Sequence, residues 1–182
     1  MTAAELRTHF LKQFDVVGII NKENYIQEAL KFHEHIGDIT YDTIVVLGLS
    51  YPKRIMKHTE THLVPSFYTF GSDYHTVLKH RIDLVMKDLD YDYISGVDNH
   101  EHDERLAATL SKVGYFGKNQ LIINKDYGTY MFLGMVFVDV KLDKEFILDI
   151  DDDCGTCTKC ISACPTNALS EVGYLKDRCI SY

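Results

Sequence analysis

Hydrophobic positions along the chain alternate between helical and extended spacing. The clearest helical stripe lies within residues 73–89, where apolar side chains recur every three or four positions, at Leu78, Ile82, Val85 and Leu89. The clearest strand is residues 43–49, an uncharged run rich in β-branched side chains. Alternation of such segments predicts a fold that mixes helices and strands, of the α/β or α+β class.

Weaker patterns complete the predicted order of elements. Thr2 and Glu5 form a capping-box signature ahead of a helix that we expect to end near residue 14. The other predicted helices are residues 22–36, ending at Gly37, and residues 103–113. The other predicted strands are residues 16–20, 91–97, 120–124 and 129–140, the last two forming a hairpin. We therefore expect an α/β domain over residues 1–150 and a small module over residues 151–182, joined by an acidic segment at 141–153.

Composition narrows the class of protein. No apolar run approaches the roughly 20 residues that a membrane span needs, and the first residues lack the basic and apolar regions of a secretory signal. A soluble, cytoplasmic protein is the expectation. The net charge of −8, from 27 acidic and 19 basic residues, disfavours nonspecific nucleic-acid binding, which draws on clustered Lys and Arg.

The five cysteines all lie within the last 29 residues, at Cys154, Cys157, Cys160, Cys164 and Cys179. Disulfides would be spread through the fold, so crowded thiols indicate a metal site. The first four form the pattern C-x2-C-x2-C-x3-C-P, the run in which bacterial ferredoxins bind 4Fe–4S clusters. Zinc is the alternative, but zinc sites usually separate two C-x2-C pairs by a dozen or more residues.

The cysteine count does not decide which thiols would bind which cluster. One cluster would take Cys154, Cys157 and Cys160, and a second would take Cys164 and Cys179. Two such clusters need eight thiolates, and five cysteines leave three missing. Either the remainder follows beyond Tyr182, or the chain holds one cluster with Cys164 or Cys179 as the fourth ligand.

Three ordered motifs give the chain a family resemblance. They are Tyr68-Thr-Phe-Gly71-Ser-Asp73-Tyr74-His75, then Val97-Asp98 followed by Gly114-Tyr-Phe-Gly117-Lys118-Asn119, and the cysteine tail continuing to Arg178-Cys179. At this order and spacing they resemble the epoxyqueuosine reductases, the cobalamin and iron–sulfur oxidoreductases that make queuosine in tRNA. The resemblance runs from about Thr43 to the last residue.

The resemblance implies a cobalamin-binding-type α/β domain followed by a ferredoxin-like iron–sulfur module. Cobalamin would be held base-off, reduced through 4Fe–4S clusters, and would remove the epoxide oxygen of epoxyqueuosine at a tRNA anticodon. Asp98 matches the family's proton donor. Expelling oxygen from an epoxide requires a proton, and a carboxyl group beside an apolar macrocycle can have a raised pKa. The alternative is that Asp98 is a helix N-cap or a turn residue after a strand.

The resemblance also implies a set of cobalamin-binding residues, namely Tyr74, His75, Asp98, Gly117, Lys118 and Asn119. Lys118 and Asn119 would offer donors to the corrin amides. Gly114 and Gly117 mark a close approach of the backbone to a neighbouring strand or to the cofactor, with a helix C-cap at Gly114 as the alternative. For Tyr74 and His75 the alternative is a structural role at the start of a helix.

Partners follow from the same resemblance. The family continues with a C-x2-C-x3-C-P run that completes both clusters and with a helical-repeat domain that helps to grip tRNA. We therefore expect this chain to be truncated at its C-terminus and, as a monomer, to bind tRNA weakly and to accept electrons from flavodoxin or ferredoxin. Two other functions stay open: an iron–sulfur electron-transfer protein without reductase activity, and a corrinoid reductase of another substrate.

Overall fold

The computed structural model describes residues 1–51, 59–61, 64–98, 101–142, 144–147 and 153–182. The helices are α1 (Ala3–Phe10), α2 (Lys22–Ala29), α3 (Tyr74–Lys87), α4 (Glu104–Leu110) and α5 (Lys159–Ala163). The strands are β1 (Val16–Asn21), β2 (Thr43–Ser50), β3 (Tyr93–Gly96), β4 (Tyr115–Phe116), β5 (Ile122–Ile123), β6 (Met131–Val138), β7 (Leu169–Ser170) and β8 (Gly173–Tyr174). The fold is mixed α/β, as the sequence predicts.

An antiparallel sheet with the strand order β1-β2-β6-β3 forms the centre of the molecule. Helices cover both of its faces. Alternate side chains of β2 point to opposite faces, so Val45 and Leu47 pack with α1 and α3, while Ile44 and Val46 pack with α2 and α4. Burial on both faces explains why this strand reads as a continuous apolar run.

Two local helix patterns are confirmed. Helix α3 begins after its N-cap, Asp73, and buries Leu78, Ile82 and Val85 as the apolar stripe requires. The capping box of α1 is present, with the Thr2 side chain and the Glu5 side chain each accepting from the other's backbone N–H. These features form locally because each depends on residues within one or two helical turns.

Three predicted boundaries are wrong. Helix α1 ends at Phe10 instead of residue 14, and α4 ends at Leu110 instead of residue 113. Helix α2 ends at Ala29 instead of residue 36, because no apolar stripe continues beyond it: Phe32 is 72% exposed. Local helical propensity without a buried face does not sustain a helix.

The predicted hairpin of residues 120–124 with residues 129–140 is also wrong. Strand β5 pairs with β4, whereas β6 pairs with β2 on one side and β3 on the other. Only a single bridge, Asn124 to Gly128, links the ends of the predicted turn. The apolar run of β6 gains burial against two neighbours in the central sheet, which a two-stranded hairpin cannot provide.

The cysteine segment, residues 153–182, contains α5, the short β7–β8 hairpin and a 3₁₀ turn at Lys176–Arg178. Its thiols are all free. The predicted acidic connection at residues 141–153 lies partly outside the described residues. Within the described part of the chain, no helix is long and apolar enough to cross a membrane.

Candidate functional site

A cleft of about 720 Å³ opens at the end of β3. Apolar and aromatic side chains of β6 and of the segment before it form one wall, and these are Leu121, Ile122, Met131, Phe132 and Leu133. Polar groups line the rest, including Tyr74, Asp98 and Glu104. Ser181, two residues after Cys179, completes the lining. The cleft therefore lies between the α/β core and the end of the cysteine segment.

Asp98 occupies a constrained position at this cleft. It follows β3 directly and has a φ of +56°, a left-handed conformation that Asp tolerates better than most residues. Its backbone N–H donates to Oε1 of Glu104 at 3.1 Å, which ties the loop to the first turn of α4. Asp103, rather than Asp98, is the N-cap of α4. The Asp98 side chain is 55% exposed and is free to meet a ligand in the cleft.

Tyr74 orients the Asp98 carboxylate. The tyrosine hydroxyl donates to Asp98 Oδ2, and its ring stacks on Phe132 with 4.3 Å between ring centroids and 2° between planes. Burial raises the pKa of Tyr74 above its ordinary value, and the hydrogen bond to Asp98 raises it further. The hydroxyl thus stays protonated and keeps its donor role over the physiological range.

His75 stacks on the ring of Tyr74, with 4.1 Å between ring centroids, and faces the same oxygen of the Asp98 carboxylate. Its Nε2 is 3.8 Å from Asp98 Oδ2, and its Nδ1 is 2.9 Å from Oδ1 of Asp73, the N-cap of α3. The hydrogen bonds with the His75 side chain and backbone lower the pKa of Asp73. The expected structural role at the helix start is therefore present for His75, in addition to its position beside Asp98.

The Gly117–Asn119 motif lies beside the cysteine segment instead of in the described lining of the cleft. The backbone N–H of Lys118 donates to Sγ of Cys154 at 3.4 Å. Gly114 is not a helix C-cap, because α4 is capped at Ser111. A Cβ on Gly114 would lie 2.7 Å from the Ile123 carbonyl oxygen, so this glycine permits close packing against β5, the neighbouring-strand interpretation.

Two of the cysteines, Cys164 and Cys179, have thiol pKa values below the ordinary one. Backbone N–H groups of Leu169 and Thr166 lower the pKa of the Cys164 thiol to about 7. The Tyr174 hydroxyl lowers the pKa of Cys179, and the nearby Cys164 opposes that effect, so these two thiols are neighbours. Among the described residues, no group of three His, Cys, Asp or Glu side chains is arranged to share a single metal ion.

Sequence reasoning missed two residues that shape the site, Glu104 and Ser181, and gave Phe132 no role in it. Glu104 reads as an ordinary acidic residue in a first helical turn, and Phe132 as one apolar residue of a strand. Contacts between distant parts of the chain bring Phe132 and Ser181 to the cleft, and Glu104 reaches it through the backbone N–H of Asp98, six residues earlier. No signal in the local pattern could have found them.

Comparisons with known proteins identify several proteins that are similar to this chain. No protein-family model matches it. An epoxyqueuosine reductase of Bacillus subtilis is 34% identical over 151 residues, covering 77% of this chain and 39% of that protein. The epoxyqueuosine reductase of Lactococcus garvieae is 32% identical over 150 residues, covering 77% of this chain and 42% of that protein. The chain thus spans about 40% of the length of these curated relatives.

The solved structures that are similar to this chain include epoxyqueuosine reductases. An epoxyqueuosine reductase with an epoxyqueuosine-modified tRNA-Tyr stem loop is 26% identical, with a TM-score of 0.71 over 98% of this chain and 56% of that one. The Bacillus subtilis enzyme with its aspartate catalytic loop swung out of the active site is 25% identical, with a TM-score of 0.68 over 98% and 55%. A catabolic reductive dehalogenase shares the fold at 17% identity, with a TM-score of 0.56 over 90% and 24%.

The sheet, its covering helices and the thiol-bearing segment therefore define a mixed α/β protein with the fold of the epoxyqueuosine reductase structures. The matched part of the chain is homologous to the epoxyqueuosine reductases and belongs to that family.

Proposed function

We propose that this chain is the cobalamin-binding part, and a portion of the iron–sulfur part, of an epoxyqueuosine reductase that acts on tRNA. One observation carries the proposal: a single cleft joins a carboxylate with its hydroxyl donor, Asp98 and Tyr74, to Ser181 at the end of the cysteine segment. Such a cleft suits a reaction that needs a proton from one side and electrons from the other. The reducing cytoplasm, where tRNA is found, is the proposed location.

The cleft has a lining that suits a macrocyclic cofactor. Its volume of about 720 Å³ lies within the range of cofactor pockets. Its apolar wall suits the face of a corrin ring, and its polar rim suits the ring's amide side chains. Tyr74, His75 and Asp98 would lie beside the cofactor in the domain of residues 1–150. A bound cobalamin would supply low-valent cobalt as the reductant that removes the epoxide oxygen.

The thiols of residues 151–182 fit an iron–sulfur cluster. The spacing from Cys154 to Cys164 suits iron–sulfur ligation, and backbone N–H groups already point at Cys154 and Cys164. Hydrogen bonds to ligand sulfurs stabilise thiolate charge and tune cluster potentials. We assign Cys154, Cys157 and Cys160 to one cluster, and the neighbouring Cys164 and Cys179 either to its fourth ligand position or to a second cluster.

Asp98 is proposed to hold and deliver the proton that the departing epoxide oxygen requires. Tyr74 holds the carboxyl group and the Glu104 contact holds the Asp98 backbone, so that the carboxyl group faces the cleft in one orientation. The related Bacillus subtilis enzyme has an aspartate catalytic loop, seen swung out of its active site, which supports a catalytic role for an aspartate on a loop. The related enzyme solved with a tRNA stem loop supports tRNA as the substrate.

The test compares Asp98→Asn with Asp88→Asn, an exposed aspartate at the end of α3. We expect hydroxocobalamin titration to give the same base-off absorbance change in both variants and in wild type. Reduction of epoxyqueuosine in tRNA by the reconstituted protein is expected to fall by about a hundredfold or more in Asp98→Asn alone. Unchanged absorbance on titration of wild type would contradict the cobalamin assignment, and retained activity in Asp98→Asn would remove Asp98 from the mechanism.

A further inference from the structure

Residues 117–121 form the turn of the β4–β5 hairpin. This turn places Lys118 against the cysteine segment. The Gly117 N–H donates to the Leu121 carbonyl at 2.9 Å, and the Leu121 N–H donates to Oδ1 of Asn119 at 3.1 Å. A Cβ on Gly117 would lie 2.5 Å from both Asn119 Oδ1 and Ile123 Cδ1, so a larger residue would force this turn open. The turn therefore holds the backbone of Lys118 in a fixed position.

Lys118 makes three hydrogen bonds to the loop that begins the cysteine run. Its backbone N–H donates to Cys154 Sγ at 3.4 Å, and its Nζ donates to the Gly155 carbonyl at 2.9 Å and the Cys157 carbonyl at 3.3 Å. Within that loop the Cys157 N–H donates to the Cys154 carbonyl at 2.9 Å. One side chain thus binds a carbonyl group that lies between two predicted cluster ligands and the carbonyl group of the second ligand itself.

We propose that Lys118 is a positioning residue, which holds the Cys154–Cys157 loop ready for an iron–sulfur cluster and raises the reduction potential of that cluster. This inference rests on the cluster assigned in the proposed function. An ammonium group has three donors and no acceptor, which suits it to collecting carbonyl oxygens. Its positive charge beside the ligand loop stabilises the reduced cluster, because reduction adds negative charge.

The same turn also reaches the candidate site. Leu121 and Ile122, which follow the turn, line the cleft that contains Asp98. Lys118 therefore ties the cysteine loop to the wall of the cleft, so that the cluster and the cleft keep a fixed separation. A fixed separation matters for a reaction in which electrons pass from the cluster into the cleft.

The test removes the ammonium group while leaving the backbone N–H in place. Lys118→Met is compared with Lys118→Arg, which keeps the charge, and with Lys125→Met, an exposed lysine in the turn before β6. After anaerobic reconstitution, we expect Lys118→Met to lose iron to a chelator about tenfold faster than wild type. Its midpoint potential, followed by electron paramagnetic resonance, should be more negative. Lys118→Arg should restore the potential, and Lys125→Met should match wild type in both measurements.

A second measurement needs no cluster. In the apoprotein, amide hydrogen exchange over residues 153–160 should be faster in Lys118→Met than in wild type or Lys125→Met. Equal exchange, equal iron loss and an equal potential would overturn the role of Lys118 while leaving the proposed function intact. A wild-type protein that takes up no cluster would instead overturn the cofactor assignment, and with it the redox role of Lys118.

Discussion

The ring of Tyr74 lies parallel to the ring of Phe132, 4.3 Å away between centroids, while the hydroxyl group of the same tyrosine donates to Asp98. One side chain thus joins the apolar wall of the cleft to its carboxylate. Stacking fixes the plane of the phenol, and the plane of the phenol fixes the direction of the hydrogen bond. The position of Asp98 therefore depends on a strand 34 residues further along the chain.

Tyr74→Phe should keep the stack and lose the hydrogen bond to Asp98. We expect the free energy of unfolding to fall by about 1 kcal/mol, the usual contribution of one such bond. Turnover of epoxyqueuosine tRNA should fall by about ten- to a hundredfold, because the carboxyl group loses its fixed orientation. Urea unfolding and single-turnover kinetics of the reconstituted protein measure the two effects.

Tyr93→Phe is the matched control, because the Tyr93 hydroxyl donates to Asp83 at 2.6 Å, away from the described lining of the cleft. It should lower stability by a similar amount and leave turnover unchanged. An equal loss of turnover in both variants would mean that Tyr74 acts through stability alone.

The five thiols predict how much iron the chain binds. Cys154, Cys157 and Cys160, which lie within seven consecutive residues, with one further thiol from Cys164 or Cys179, supply one complete set of four ligands. Anaerobic reconstitution should therefore give about four irons per monomer. Iron and sulfide analysis of Cys164→Ser and Cys179→Ser identifies the fourth ligand, since only its loss should release the cluster. A value close to eight irons in the wild type would contradict this prediction.

Tyr25 should make the chain sensitive to alkaline pH. Its burial raises its pKa to about 12, whereas a tyrosine in an unfolded chain ionises near pH 10. The folded chain then keeps a proton that the unfolded chain has lost, so this contribution to stability is complete below about pH 10 and declines toward pH 12.

The decline amounts to about 1.4 kcal/mol per pH unit for this one group. In urea unfolding across that range, the free energy of unfolding should fall more steeply in wild type than in Tyr25→Phe. The substitution also removes the acceptor of the Asp103 N–H, so its stability below about pH 10 should already be lower by about 1 kcal/mol. Parallel curves for the two proteins would contradict the role of Tyr25.

Features that depend on near neighbours in the chain were determined by the sequence alone. The capping box at Thr2 and the apolar stripe of α3 follow from residues within a turn or two of one another. The cysteine spacing predicts iron–sulfur chemistry in the same way, because Cys154 to Cys164 form one short sequence pattern. The order of the three motifs was enough to indicate the family, which the comparisons then showed.

Only the tertiary structure decided which strands pair and which side chains meet. The apolar run of β6 is compatible with a hairpin, but burial on two sides places it between β2 and β3. The hydrogen bond from Tyr74 to Asp98 spans 24 residues, and that from Lys118 to Cys154 spans 36. Local pattern carries no information on such pairs, because their free energy arises only when the whole sheet buries its two faces and brings distant segments together.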